Sequence, residues 1–355
     1  MNIDKPSPRR TLAGAQHLSD PARLWAAARR TFLWLGIALT VLALLGALYQ
    51  AIATRLDRRS YPPPGQLIDV GGYRLHLNCT VAPDARQPVV ILEQGGGGNS
   101  LAWFLLQPEV ARAAAVCAYD RAGMGWSEPG PAPRDGRQIA AELQRLLHNA
   151  GLAGPYVLVG HSFGGLYVRA FAAEFPQEVA GLVLLDATHP DIWTRTPGGR
   201  AEYQNNARVY AAARWLAPLG VLRLLPNPLT QPPASLPPER WAEWRALFST
   251  SAYWAALEAE YRASPDTMAQ LRAAPALPEG LPLAVVTAGN NTGADGNWAA
   301  YQAELAALST NSVHTVVAGA DHVSLWADPQ YVAASSAAIL QVVEAVHTGQ
   351  PLAQP

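Results

Sequence analysis

Polar and apolar positions divide this chain into one long unbroken apolar run followed by many short ones. From Thr31 to Thr54 there is no charged residue, and Leu, Ala, Ile and Val dominate. These 24 residues are enough to cross a hydrocarbon core as a helix at about 1.5 Å per residue. The run is too long and starts too late for the apolar core of a cleavable signal peptide. It shows no polar face, unlike a buried soluble helix, so the pattern predicts a single transmembrane anchor. Residues 1–30 form a polar tail and residues 55–65 a linker, the latter ending in the stiff Pro62-Pro63-Pro64-Gly65.

Beyond the linker the apolar runs are short. Gln66–Val70 and Tyr73–Val81 alternate around Gly71-Gly72, which predicts a β-hairpin. Val89–Leu92, Ala113–Tyr119, Tyr156–Val159, Val179–Leu185, Leu283–Thr287 and Val313–Val317 are continuous apolar runs, expected as buried strands. Between them, helical spacing covers Ser100–Arg112, Gly136–Asn149 (with Asp135 as its cap), Leu166–Phe175, Gly296–Leu308 and Asp328–His347. Strand and helix alternate as in a parallel α/β sheet. Residues 187–280 interrupt this alternation and far exceed an ordinary loop. They carry Trp193, Trp215, Trp241, Trp244 and Trp254, and read as a helical cap inserted between core segments 66–186 and 281–355. These aromatic residues either wall an acyl or aromatic site or only pack the cap on the core.

Composition narrows the function. The 355 residues are 50% hydrophobic with a net charge of -1, which leaves no basic stripe for nucleic acid. Lys5, Arg9, Arg10, Arg23, Arg29 and Arg30 precede the apolar run, and Arg55, Arg58 and Arg59 follow it beside Asp57. The larger basic count before the run predicts a cytoplasmic N-terminus and an extracytoplasmic globular domain, against the opposing pull of the three later arginines.

Chemistry concentrates at Gly160-His161-Ser162-Phe163-Gly164. A strand before and a helix after give this pentapeptide the context of a nucleophile elbow, where a sharp turn exposes the serine and glycines let the backbone pass closely. The helix that follows aims its N–H groups at charge developing near Ser162. The glycine run Gly95–Gly98 is not followed by Lys-Ser/Thr, so it does not match a P-loop. With no nucleotide fingerprint or metal-ligand cluster in the sequence, neither a cofactor nor a metal is expected.

From Gln66 onward the chain resembles the α/β-hydrolase fold superfamily. The resemblance rests on Glu93-Gln94-Gly95-Gly96-Gly97-Gly98 after one strand and Asp120-Arg121-Ala122-Gly123-Met124-Gly125-Trp126-Ser127 after the next. It rests also on the Ser162 elbow and on Gly319-Ala320-Asp321-His322 after a late strand. It implies a doubly wound, mostly parallel eight-stranded sheet with a helical cap, here preceded by one transmembrane helix. It implies Ser162 as nucleophile, His322 as general base, and an oxyanion hole from the backbone N–H groups of Phe163 and Gly96, with Gln94-Gly95 standing where relatives have His-Gly. The other histidines are set aside; His161 is expected to point away from Ser162.

The acid stays open at this point. The commoner place in the family follows the strand Leu283–Thr287, where Asp295 is the only carboxylate, on a loop that looks long and loose. A minority of relatives use the end of the preceding strand, where Asp186 stands. The rigid strand end favours Asp186, with Asp295 as the alternative and Asp191 third. The resemblance also sets the strands holding Cys79 and Cys117 side by side, which implies a disulfide in an extracytoplasmic domain and two thiols in a cytoplasmic one. The implied activity is hydrolysis of a small-molecule or lipid-like ester, with amides, thioesters and lactones as related targets. Family members that open epoxides or remove halides use an aspartate at the elbow, which Ser162 argues against. A cofactor-free haloperoxidase-like activity and a silent binding module are the remaining alternatives.

Overall fold

A computed structural model describes residues 1, 21–80, 88–225, 230–293 and 296–353. The chain enters through α1 (Pro21–Ser60), a 40-residue helix whose apolar side chains are largely exposed from Leu24 to Leu56. It runs further than the apolar stretch alone predicts. Arg55 to Arg59 keep the helix going, so only residues 61–65 of the expected linker are non-helical. Pro62 sits just past the end, and proline cannot continue a helix.

The hairpin follows as β1 (Gln66–Asp69) and β2 (Arg74–Thr80), in antiparallel register. Asp69 accepts from the N–H groups of Gly71 and Gly72 and so closes the turn. Next come β3 (Val90–Glu93), α2 (Leu106–Val110) and β4 (Val116–Tyr119). Here the expected helix over Ser100–Arg112 is broken into a 3-10 turn at Ser100–Trp103 and the short α2. Pro108 has no N–H to offer the carbonyl of Phe104, so one continuous helix cannot form.

Then come α3 (Gly136–Asn149), capped by Asp135 as expected, β5 (Tyr156–His161), α4 (Gly164–Glu174) and β6 (Val179–Leu185). The segment between β6 and the next strand is helical. It contains α5 (Ile192–Arg195), α6 (Gly199–Leu216), α7 (Val221–Leu224), α8 (Trp241–Phe248) and α9 (Ser251–Ala273). The core resumes with β7 (Leu283–Ala288), α10 (Trp298–Ala306), β8 (Ser312–Val317), α11 (Ser324–Ala327) and α12 (Val332–Thr348).

The eight strands form one sheet in the order β1-β2-β4-β3-β5-β6-β7-β8. β2 pairs antiparallel with β1 and β4, and every later pairing is parallel. Alternate residues of the central strands feed two cores: Leu92, Val157, Val159 and Val183 into one, Ile91, Leu158, Leu182 and Leu184 into the other. Burial on both faces explains why these strands read as continuous apolar runs. Cys79 on β2 lies directly opposite Cys117 on β4, and the two form a disulfide. The parallel strands point their C-terminal ends to one side, where ligands bind in open α/β sheets. Ser162, Asp186 and the glycine loop after β3 all follow such ends.

Candidate active site

Ser162 occupies the turn between β5 and α4 with φ of 53°, a left-handed conformation uncommon for a residue with a side chain. The turn is tight on both sides. A Cβ at Gly160 would come within 2.6 Å of the Gly164 backbone, and one at Gly164 within 2.3 Å of the Glu93 carbonyl. The turn is anchored from β6, since Ser162 donates its N–H to the Leu185 carbonyl at 3.1 Å.

His322 lies in the loop after β8, its ring about one-third exposed, and its Nδ1 is 2.6 Å from Asp186 Oδ2. Asp186 ends β6, also at positive φ (45°), with its carboxylate fully buried. Oδ1 accepts from the Ala288 N–H (3.0 Å) and the Trp298 indole (2.7 Å), and Oδ2 from Asn291 Nδ2 (2.6 Å) as well as His322. Burial opposes ionisation, but hydrogen bonds from His322, Trp298 and Asn291 outweigh it and hold the carboxyl below its ordinary range. Asp295, the alternative acid, lies outside the described residues. Asp191 sits elsewhere, 3.3 Å from Arg272. The start of the loop after β7 is tied down: Asn290 N–H donates to Ala320, and Asn291 reaches Asp186.

The glycine loop packs against the elbow. A Cβ on Gly95 would lie 2.9 Å from Ser162 Cβ, and one on Gly96 3.4 Å from the Phe163 ring. Among the described residues, the N–H groups of Gly96 and Phe163 have no protein acceptor. Arg121 holds this loop from beneath, donating to the carbonyls of Gln94 (2.6 Å) and Gly95 (2.8 Å). Its guanidinium is buried between Glu93 and Glu260 of α9, and Tyr119 donates to Glu93. Burial pushes the Glu93 carboxyl up to about 7 against the pull of Arg121. Sequence reading missed this network; its one visible signal was a glutamate ending an apolar strand.

His161 departs from expectation. Its ring does not turn away but packs 4.5 Å from the His322 ring, between Gln94 Oε1 and the His322 carbonyl, both at 2.8 Å. Burial, with the neighbouring His322, pushes it down to about 3. The remaining described histidines lie apart from this cluster: His76 bonds buried Asp120, His148 Glu178, His314 Thr287, His189 stacks on Tyr301, and His347 is in the last turn of α12.

Ser162 and His322 line one cavity of about 400 Å³, walled by Trp244, Phe248, Tyr253 and Leu257 from the cap and by Trp326 from the core. Of the cap tryptophans, Trp244 and Trp254 take the two expected roles and Trp215 takes neither. Trp244 faces the cavity, Trp254 is buried, and Trp215 points to solvent. Among the described residues, no group of three or more His, Cys, Asp or Glu side chains is placed to hold a metal ion.

Residues 88–329 match the model of the alpha/beta hydrolase fold family. An uncharacterised protein of Schizosaccharomyces pombe is 27% identical over 290 residues, which is 73% of this chain and 52% of that protein. The chain spans about half the length, or less, of the curated relatives it matches. Among solved structures, a thermophilic esterase from Thermogutta terrifontis superposes with a TM-score of 0.58 at 22% identity, covering 78% of this chain and 94% of that one. The epoxide hydrolase CorEH superposes with a TM-score of 0.59 at 22% identity, covering 76% and 95%. At these identities the neighbours share the fold, and their different activities show that fold alone does not fix the chemistry.

Proposed function

The chain belongs to the alpha/beta hydrolase fold family, and on that premise we propose a membrane-anchored serine hydrolase that cleaves carboxylic esters or related acyl bonds. The observation that carries this reading is His322 Nδ1 at 2.6 Å from Asp186 Oδ2, with the same ring lining the cavity of Ser162. Ser162 Oγ attacks the acyl carbon while His322 Nε2 takes its proton. The Asp186 carboxylate accepts from Nδ1–H, which fixes the tautomer and stabilises the imidazolium as it forms. Charge on the tetrahedral oxygen falls to the N–H of Gly96 in the glycine loop and to that of Phe163 at the α4 N-terminus. His322 then protonates the leaving alcohol, and water, activated by the same ring, releases the acid. His161, kept neutral by burial, contributes no competing charge beside His322.

An acyl enzyme is favoured over epoxide or halide chemistry because the elbow residue is a hydroxyl rather than a carboxylate. The anchor reading is supported by α1, whose Ala22–Ser60 portion contains an unburied 18-residue stretch of mean hydropathy 2.2. An extracytoplasmic catalytic domain is supported by the Cys79–Cys117 disulfide and the excess of basic residues before the apolar run. Detergent-solubilised full-length protein is expected to hydrolyse p-nitrophenyl esters, and Ser162→Ala to lose that turnover. Equal turnover by wild type and Ser162→Ala would reject the assignment.

A further inference from the structure

The cap does not hang free of the anchor. A Cβ at Gly46 of α1 would approach the Leu219 carbonyl to 2.4 Å, and one at Gly220 would lie 2.9 Å from the Tyr49 ring. One turn further, Gln50 is buried and donates to the Ser249 carbonyl at 2.8 Å. Arg223 of α7 reaches Gln50 Oε1 at 3.2 Å and Asp57 Oδ2 at 2.5 Å. Contacts near Gly46 and Tyr49 are thus apolar or backbone, and those from Gln50 to Asp57 are polar.

This change has a depth. Arg29 and Arg30 mark where α1 can enter a hydrocarbon core, and about 30 Å at 1.5 Å per residue ends near Gln50. Leu219, packed at Gly46, then lies about 6 Å inside that boundary, within the roughly 5–10 Å reached by interfacial amphipathic segments. The cap carries an exposed apolar strip on both sides of this point. Trp215 is 76% exposed, Leu224 67% and Leu225 57%, with Leu216 beside them. Between α1 and α7 runs a groove lined by Tyr49, Ala53, Leu56, Leu222, Leu224 and Gln231. Gln231 also lines the cavity over Ser162, so that one residue borders both spaces.

We propose that the strip of Trp215, Leu216, Leu224 and Leu225 is seated in the lipid surface beside α1, and that the groove along α1 leads the acyl chain of a bilayer-dissolved ester to Ser162. The proposal rests on the membrane-anchored hydrolase reading and names its substrate class. The occupant is a lipid because the strip adjoins the segment of α1 whose apolar side chains are exposed. A soluble partner would have to share that depth with the bilayer.

Both cysteines are in the disulfide, so one added cysteine in the full-length protein takes a spin label alone. In phosphatidylcholine vesicles, a label at Trp215→Cys is expected to be accessible to oxygen and shielded from a water-soluble nickel complex. A label at Arg145→Cys, on exposed α3 surface, should show the reverse. Equal nickel accessibility at the two positions, or protein that fails to float with vesicles, overturns the proposal.

A second arm uses Trp215→Ser with Leu216→Ser, which touch neither the groove nor the cavity. Turnover of a long-chain ester dispersed in vesicles should fall at least about tenfold, with hydrolysis of a short water-soluble ester unchanged. An unchanged vesicle rate, or equal loss on both esters, overturns the route. If no ester is turned over in a Ser162-dependent way, the hydrolase reading and the substrate route fail together, while the label still reads the seating of the cap.

Discussion

Asp186 illustrates how much one residue position depends on its neighbours. It ends β6 in a left-handed conformation, fully buried, and four donors from three later segments converge on its two oxygens. Replacement by asparagine keeps the shape but offers His322 the wrong partner. Asp186→Asn is expected to lower turnover by roughly three to four orders of magnitude, read as kcat on a soluble ester. The lowered pKa has a sign as well. An anion stabilised in the folded state contributes stability that is fully present above the unfolded carboxyl value of about 3.9 and is lost as pH falls through the lower folded value. The melting temperature of Asp186→Asn should therefore depend less on pH than that of wild type below about pH 4. An unchanged acid limb would place the acid-sensitive group elsewhere.

Sequence reading singled out Ser162, His322 and Asp186 because each sits beside a local signal: a glycine pair, a loop after the last strand, a strand end. Trp298 and Asn291 carried no such signal, since their relation to Asp186 exists only once β7 lies beside β6. Arg121 was visible only as part of a turn motif. Its role under Gln94 and Gly95 depends on Glu260, 139 residues away, a separation no local pattern spans.

At the level of elements, strands and capped helices were legible because burial on both faces makes an apolar run and because Asp135 is a cap with a mechanism. The expected helix over Ser100–Arg112 broke at Phe104 and Leu105, one turn before Pro108, a residue that periodicity alone does not weigh. The cap was legible as an insertion, but not the way it is tied down. Helix α9 meets the core through Glu260 on Arg121 and Thr267 on the Gly136 N–H. Removing Arg121 leaves buried Glu93 without its cation and Glu260 with only Arg134 at 3.8 Å, so Arg121→Ala is expected to cost about 3–5 kcal/mol in chemical denaturation. The disulfide between β2 and β4 closes a 38-residue separation, and Cys79→Ala with Cys117→Ala should cost roughly 4 kcal/mol by loop entropy. Little change in the denaturation midpoint would show these strands to be held by packing alone.

For the whole molecule, the sequence pattern separates the N-terminal apolar helix, core and cap cleanly, but it does not show that this helix and the cap touch. That contact comes from Gly46, which reads as one more small residue in an apolar run until Leu219 is packed on it. The backbone approach leaves no room for a side chain. Gly46→Leu is expected to undock the cap from α1, seen as faster proteolysis within residues 217–225 of vesicle-bound protein, with the core intact.

These features converge on Ser162, at the elbow and in one cavity with His322, as the proposed nucleophile. The most direct measurement is peptide mass mapping of the full-length protein after reaction with a fluorophosphonate. A single phosphonyl adduct on Ser162, formed by wild type and strongly slowed in His322→Ala, is the predicted result. No adduct, an adduct on another residue, or labelling indifferent to His322 would contradict the account.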